Sequence, residues 1–385
     1  MKTLKNPDLS SSKELKHIAL KRELEEFVGS SQPGARIPSY TEMIRKYGVG
    51  QATIDRVLRE FDTEGLIVRK AGKGIFVSPR AVQKRIGFVL GRDAFRRGHS
   101  PICSILMDYC QKREKDGTEN FKFYLDVPQA ATTDVMMSLH QEELSADLQA
   151  KRLDGVILVW SHGPDETRWL RSFGVPIVSV GQEGDIDMHS AIIDYTELIR
   201  AATEALIAAK CRRIALLTPF GYLRESAYKQ DVQVFQSVLT KHGLPFNRDW
   251  ILEDRQGRAT NAGGKLSNEE LGFEVASDFL ATCPEPAIRH GKLPFDGLVS
   301  ADDMFTRGAL TALHQHSISF KNGLLIATHA NRDSPALSGY AKDLILLEVD
   351  PVEVIDAMLK LLESMIRGGS KQIKKVYIKP HLIHS

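Results

Sequence analysis

From Ile86 to the end of the chain, short uninterrupted apolar runs alternate with longer segments of helical period. Gly155-Val156-Ile157-Leu158-Val159 is the clearest run. A strand with one wet face alternates apolar and polar residues, so a run without alternation is apolar on both faces. Such strands belong in a parallel sheet covered by helices on either side. The runs predict strands at Ile86–Leu90, Phe121–Leu125, Gly155–Trp160, Pro176–Val180, Ala191–Ile193, Arg213–Thr218, Gly297–Ser300, Leu324–Thr328, Leu344–Val349 and Lys375–Ile378. Between them the spacing predicts helices such as Thr196–Ala209, Glu225–His242, Glu269–Ala281, Met304–His316 and Pro351–Arg367. So many strands in one open sheet would be unusual, which points to two doubly wound sheets. In such sheets ligands bind beyond the carboxyl ends of the strands.

Ahead of this α/β body the rhythm differs. A helix is expected over residues 13–29, with Leu15, Ile18, Ala19, Leu24, Phe27 and Val28 inward. Residues 1–12 are polar and serine-rich. Pro38-Ser39 then opens a short helix, and Glu42 three residues on completes a capping box. Met43, Ile44 and Tyr47 follow at helical spacing, and Gly48 is placed for the left-handed residue that closes the helix. A second helix runs from about Gln51 to Glu64, with Ile54, Val57, Leu58 and Phe61 as its apolar stripe. Leu66-Ile67-Val68 and Ile75-Phe76-Val77 read as two strands around the basic, glycine-rich tip Arg69–Gly74. A short helix, a glycine turn and a polar-faced second helix are what the major groove of DNA admits. The hairpin tip can approach phosphate or enter the minor groove. The plain alternative is a small helical subdomain with a solvated hairpin.

Charge is divided along the chain. Residues 1–85 hold 17 Lys+Arg against 10 Asp+Glu, and the remainder holds 34 against 39. A basic module on an acidic body suits a nucleic-acid contact at one end. The cysteines Cys103, Cys110, Cys211 and Cys283 have no C-x-x-C spacing and read as reduced thiols. No stretch has the length of a membrane span, and the N-terminus has no signal-peptide core, so the expected compartment is the cytoplasm.

Residues 36–77 resemble the winged helix-turn-helix of the GntR family. The resemblance is carried by Ile37-Pro38-Ser39, Gly48-Val49-Gly50-Gln51-Ala52-Thr53-Ile54, Glu64-Gly65-Leu66-Ile67 and Gly72-Lys73-Gly74-Ile75-Phe76-Val77. It implies DNA contacts from Ser39, Thr41, Gln51, Thr53, Arg56, Arg59, Lys70, Gly72 and Lys73. The family's Ser-Arg at the start of the recognition helix is Gly50-Gln51 here, and an early Arg of the preceding helix is Thr41. Gln reads adenine edges more naturally than guanine, so a departure from the usual operator is expected.

Residues 86–385 resemble the effector domain of the LacI/GalR regulators, whose fold is that of type I periplasmic binding proteins. Asp194-Tyr195 with Lys210–Leu217, Phe295–Asp303 with Gly308-Ala309-Leu310, Glu348–Pro351 and Val376–Pro380 carry this likeness. Together the two halves resemble the arabinose-repressor-like regulators. The arrangement implies a DNA-binding domain at 1–77, a linker at 78–85 and a dimerising effector domain at 86–385 made of two discontinuous subdomains.

By position, the effector cleft is expected to be lined by Arg92, Asp93, Phe95, Trp160, His162, Tyr222, Arg224 and Asp303. Asp303 falls on the family's ligand-binding Asp. It can equally be a carboxylate that favours a helix N-terminus and needs no ligand. A family Arg aligns with Asp231, and the family's V-G-x-D is replaced at Ile326–Ala330. An unusual sugar, a non-sugar or a pocket without a ligand all fit these departures. The Gly-rich stretch Asp254–Ser267 is either a cover for the cleft or a surface loop.

Catalytic and cofactor motifs are missing from the sequence. Gly263-Gly264-Lys265 fails the phosphate-loop pattern, since position 259 is Ala and Leu266 follows the lysine. There is no G-x-S-x-G elbow, and no paired metal spacing. His314 and His316 lie two apart on a helix, on different faces. The expectation is therefore a non-enzymatic regulator without cofactor or metal. It would bind operator DNA as a homodimer and a sugar or related metabolite in its cleft. The other reading is a cytoplasmic sugar-binding or sugar-modifying α/β protein without specific DNA binding.

Overall fold

The computed structural model describes residues 9–90, 101–117, 119–125, 139–159, 164–181, 188–218, 225–258, 266–285, 290–318, 323–368 and 372–383. By contact the chain divides into two compact units. One is Met1–Ile86 with Gln111–Phe121, and the other is Gly87–Cys110 with Lys122–Ser385.

The first unit holds helices α1 (Leu9–Ser30), α2 (Tyr40–Tyr47) and α3 (Gln51–Thr63), then the antiparallel hairpin β1 (Ile67–Lys70) and β2 (Gly74–Val77). Leu20, Leu24, Val28, Met43, Ile54, Leu58, Phe61 and Val77 close one core. The capping box forms: Ser39 Oγ accepts from Glu42 N, and Ser39 N donates to the Glu42 carboxylate at 2.7 Å. Gly48 takes the left-handed conformation (φ 61°) that ends α2.

The inward face of α1 is the expected one at Leu24, Phe27 and Val28, but not at Ile18 and Ala19. Ile18 is 57% exposed and Ala19 is exposed, while His17, Leu20, Leu24 and Val28 are buried. The 17–20–24–28 stripe wins because His17 has a partner inside. Its Nε2 meets Glu60 Oε1 at 2.9 Å. Ile44 likewise points outward. Residues 34–37 lie along β2. Gly34 N and Ile37 N donate to Val77 O and Ile75 O, and Val77 N donates to Ala35 O.

The second unit carries most of two six-stranded sheets. Their strands are β3 (Lys84–Leu90), β4 (Glu119–Leu125), β5 (Gly155–Val159), β6 (Ile177–Gly181), β7 (His189–Ile193), β8 (Ile214–Leu217), β9 (Ile251–Leu252), β10 (Gly297–Ser300), β11 (Leu325–Asn331), β12 (Ile345–Val349), β13 (Lys375–Ile378) and β14 (His381–Ile383). The first sheet runs β13-β7-β6-β5-β3-β4, and the second runs β14-β12-β11-β10-β8-β9. Pairing is parallel from β13 to β5 and from β12 to β9, and β14 is antiparallel at its edge. The apolar runs sit where parallel pairing predicts: every residue of β5 and of β7 is buried. Sequence reading missed β9 and β14. β9 has only two residues, and β14 shows no buried side chain, so neither carries a periodic signal.

The chain exchanges sheets three times. β7 lies in the first sheet, but the helix after it, Tyr195–Ala208, packs on β10, β11 and β12 of the second. β12 lies in the second sheet, but the helix Pro351–Ile366 packs on β5, β6 and β7 of the first. β13 then returns to the first sheet and β14 to the second. Asp194 and Asp350 stand at the first two crossings and cap the helices that follow. Asp194 N also donates to Ile378 O, which ties the first crossing to the third. Gly155 admits the Pro351–Ile366 helix, because a Cβ there would lie 2.6 Å from Leu362 Cδ2.

Candidate DNA interface and effector site

The face presented by α3 and the hairpin is polar and open. Gln51, Arg56, Arg59, Lys70, Gly72 and Lys73 are exposed, with Thr53 half-buried. On α2, Ser39 and Thr41 are exposed as well, although the Ser39 hydroxyl is engaged with Glu42. Four buried residues of α3, Ile54, Val57, Leu58 and Phe61, fix which way this face points. Tyr40 Oη donates to Asp55 Oδ1 at 2.6 Å and fixes α2 against α3. Gly72 (φ 69°) and Gly74 (φ 110°) turn the hairpin tip, a conformation that resists any side chain.

The cations here differ in freedom. Arg56 lies 3.8 Å from Glu60, and Arg59 Nε donates to Asp55 O at 3.3 Å. Lys70 sits over the Phe76 ring at 4.9 Å. Lys73, at the tip, has no ion-pair partner among the described residues. Glu60 takes His17 and Lys21 together. Burial works to raise the Glu60 pKa, but the hydrogen bond from Lys21 leads a set of contacts that hold it below the usual carboxylate value. Sequence reading omitted Arg36, whose guanidinium lies against Gly74 beside the tip of the hairpin. Its position just ahead of Ile37-Pro38-Ser39 was the available signal.

Of the expected effector residues, Arg92, Asp93, Phe95, Trp160, His162, Tyr222 and Arg224 lie outside the described residues. Asp303 lies within them, fully buried at the carboxyl edge of the second sheet. Its neighbour Asp302 is the cap of the helix Asp303–Gln315. Asp302 Oδ1 accepts from Phe305 N at 2.7 Å, and Oδ2 accepts from Asn268 at 3.1 Å. Asp303 Oδ1 accepts from Met304 N at 2.9 Å, while Oδ2 receives long bonds of 3.3 Å from Asn331 and Ser334. The two adjacent carboxylates thus divide the work, one capping and one facing β11.

Asn331, Ser334 and the buried His329 come from the segment around β11 where the family pattern fails. Both ring nitrogens of His329 are buried without a hydrogen-bond partner, and its ring centroid lies 6.2 Å from that of Tyr195. Burial lowers the His329 pKa against the opposing pull of Asp303, so the ring is held neutral. Thr306 Oγ1 joins Ser300 (2.7 Å) and Thr328 (2.6 Å) beneath them. Among the described residues no Lys or Arg forms an ion pair with Asp302 or Asp303. Such a set accepts hydrogen bonds from a donor-rich ligand and offers an imidazole that is donor at one nitrogen and acceptor at the other. Asp231, where the family has Arg, is 3% exposed, and burial pushes its pKa up to about 7. In the 254–267 stretch, Arg258 pins the first turns through Asp254 (3.2 Å), Glu274 (3.1 Å) and Asp278 (2.5 Å).

Burial and then the charge of Asp303 push the Asp302 pKa up. A carboxyl whose folded pKa is raised loses stability as pH climbs from its unfolded value, near 3.9, through the folded one. Asp302→Asn keeps a good cap and removes the like charge. The variant is expected to melt above the wild type at pH 8 and nearly level with it at pH 4. An equal offset at both pH values in calorimetry would exclude this electrostatic account.

Residues 19–77 match the gntR family of bacterial regulatory proteins. Residues 135–263 match the periplasmic binding proteins and sugar binding domain of the LacI family. The chain carries a GntR reader ahead of a LacI-type body. The reader is 36% identical over 81 residues to a histidine utilization repressor of Klebsiella aerogenes, covering 20% of this chain and 34% of that one. It is 34% identical over 80 residues to the corresponding repressor of Pseudomonas putida, covering 20% and 32%. The chain thus spans about a third of the length of these relatives.

In fold the chain is similar to the transcriptional regulator CelR in complex with cellobiose. The TM-score is 0.57 at 18% identity, over 87% of this chain and 90% of that one. It is also similar to a LacI-family regulatory protein from Chloroflexus aggregans (TM-score 0.58, 18% identity, 78% and 96% covered). A LacI-family regulator from Lactobacillus casei with bound sucrose gives 0.55 at 15% identity, over 78% and 98%. Among the described residues, no helix is long and apolar enough to cross a membrane.

Proposed function

We propose that this protein is a DNA-binding transcription regulator, acting as a cytoplasmic repressor whose operator affinity is set by a small metabolite. The observation that carries this reading is the gntR-matched segment presenting α3 and the hairpin as one exposed, basic, polar face. We take residues 1–77 as the reader, 78–85 as the linker and 86–385 as the effector and dimerisation domain. A single winged helix reads few base pairs, so two readers on a palindromic operator supply useful specificity.

In this reading Gln51 and Thr53 reach base edges from the start of α3, and Arg56, Arg59 and Lys73 meet phosphates. A metabolite enters at the carboxyl ends of the second sheet and meets Asp303, His329 and Asn331. The fold likeness to proteins holding cellobiose and sucrose makes a sugar or related polyol the natural class. The acidic Asp231 and Asp302–Asp303 favour a ligand rich in donors.

Lys73→Ala is expected to weaken binding to every DNA sequence alike and to lower the slope of log affinity against log salt by about 0.9 per reader. Gln51→Ala is expected to relax preference at particular operator positions by about 1–3 kcal/mol while leaving the slope unchanged. Fluorescence anisotropy across a salt series separates the two. Unchanged affinity in both variants removes the assignment. A protein that shifts no DNA but turns over a sugar belongs to the enzymatic or sugar-binding alternative.

A further inference from the structure

The segment joining reader to body was expected only as a linker over residues 78–85. It is instead a docked element. Pro79–Val82 form a 3-10 helix whose N-terminal Ser78 accepts from Arg80 N through its side chain. Ser78 N donates to Leu66 O at 2.9 Å, and Ala81 packs on the reader core. The Arg80 side chain lies across Gly65, the residue that turns the chain from α3 into β1. A Cβ added at Gly65 would stand 3.0 Å from Arg80 Cδ and 3.4 Å from Nη1.

From there the Arg80 guanidinium reaches the body side of its own compact unit. Nη2 donates to Glu114 Oε1 at 3.0 Å and to Asn120 Oδ1 at 3.3 Å. Gln83 Nε2 adds a bond to Glu114 O at 3.1 Å. Arg113 holds Glu119 through two of its nitrogens, each at 3.2 Å, so the segment that Arg80 grips is itself stapled. Residues 111–121 belong to the same compact unit as the reader.

We propose that Arg80 is a positioning residue, a clamp that holds the reader against residues 111–121 of the same compact unit, through Gly65 on one side and Glu114 and Asn120 on the other. The inference rests on the regulator reading above and names the contact through which that regulation passes. The Arg80–Glu114 pair is 48% and 26% exposed. An exposed pair of this kind adds little to folding and breaks readily, which suits a contact that must be both made and released. Glu114 sits in the last turn of the helix Ile102–Asp116. A shift of that helix along its length acts on Arg80 without any change inside the reader.

The test is selection of binding sites from random duplex DNA by the full chain and by Arg80→Ala, Glu114→Gln and Arg80→Lys, each checked for wild-type melting. The wild type is expected to enrich two half-sites at one fixed separation. Arg80→Ala and Glu114→Gln are expected to enrich the same half-site with scattered separations. Both should bind the wild-type pair about tenfold more weakly, with affinity for an isolated half-site within twofold of the wild type. Arg80→Lys, which keeps the stem on Gly65 and the charge at Glu114, should retain the single separation. If Arg80→Ala and Glu114→Gln keep the wild-type separation, or if the wild type enriches only unpaired half-sites, the clamp is overturned. Enrichment of no sequence by the wild type instead overturns the regulator reading itself.

Discussion

Gly308→Ala is expected to lower stability by about 4 kcal/mol, enough to melt the variant roughly 10 °C early. Gly308 lies where the helix Asp303–Gln315 crosses the helix Asn268–Thr282. A Cβ at Gly308 would stand 1.9 Å from Glu269 O and 2.7 Å from Phe273 N. On the other helix, a Cβ at Gly272 would stand 2.1 Å from Phe305 O. The obstacles are backbone atoms, which no rotamer change can move aside. Only separation of the helices relieves the clash, and separation strips contacts from Leu271, Val275, Phe305, Ala309 and Ala312, which share one core. Overpacking a core commonly costs about 1–3 kcal/mol, and a backbone obstacle belongs above that range. Alanine's better helix propensity, about 1 kcal/mol, opposes the effect and is too small to reverse it. Gly339→Ala is the control, since nothing lies within 4 Å of a Cβ there. Equal denaturation midpoints for the two variants would contradict the close crossing. The displaced helix carries Asp302 and Asp303 at its start, so Gly308→Ala should also disturb the proposed effector site.

Asp147→Ala is expected to cost about 3 kcal/mol at pH 7. Asp147 is 4% exposed and collects Lys122 Nζ at 2.5 Å, Tyr124 Oη at 2.5 Å and Arg152 Nε at 2.6 Å. Burial alone would raise its pKa. The hydrogen bonds from Lys122, Tyr124 and Arg152 outweigh burial and hold it below the usual carboxylate value. Removal leaves the Tyr124 hydroxyl, on a side chain 1% exposed, without its acceptor. The pH dependence follows in sign: a depressed folded pKa gives stability that is present above about 3.9 and is lost as pH falls through the folded value. The gap between wild type and variant should therefore be full at neutral pH and shrink below pH 4. A gap that stays constant down to pH 2.5 in urea titrations would show that packing, not charge, sets the effect.

The fold was legible where chemistry is local or periodic. Ser39–Glu42, Gly48 and the Ile54–Phe61 stripe announced the reader, because caps, left-handed turns and helical spacing act within a few residues. Uninterrupted apolar runs announced both parallel sheets for the same reason. What escaped was set by distant partners. His17 turned inward at the expense of Ile18 because Glu60, far along the chain, supplies a carboxylate. Residues 34–37 became a ladder because β2 offers it free groups.

At the proposed site, the position of Asp303 after β10 was legible. His329, Asn331 and Ser334 were not, because their segment departs from the family pattern and only the return of β11 beside β10 brings them to Asp303. Arg80 was hidden for a similar reason. Nothing within the linker itself signals Glu114 or Asn120.

The exchange of strands and helices between the sheets also governs how the chain can be made. The first sheet holds β5, yet one of its faces is covered by Pro351–Ile366 and its edge is completed by β13. During synthesis at about 5–20 residues per second, the apolar face carrying Gly155, Ile157 and Val159 must therefore wait roughly 10–40 seconds for the helix that covers it. An unprotected apolar surface of that lifetime is what chaperones bind. A nascent chain stopped before residue 351 should accordingly be held by chaperones, while one that runs past 383 releases itself.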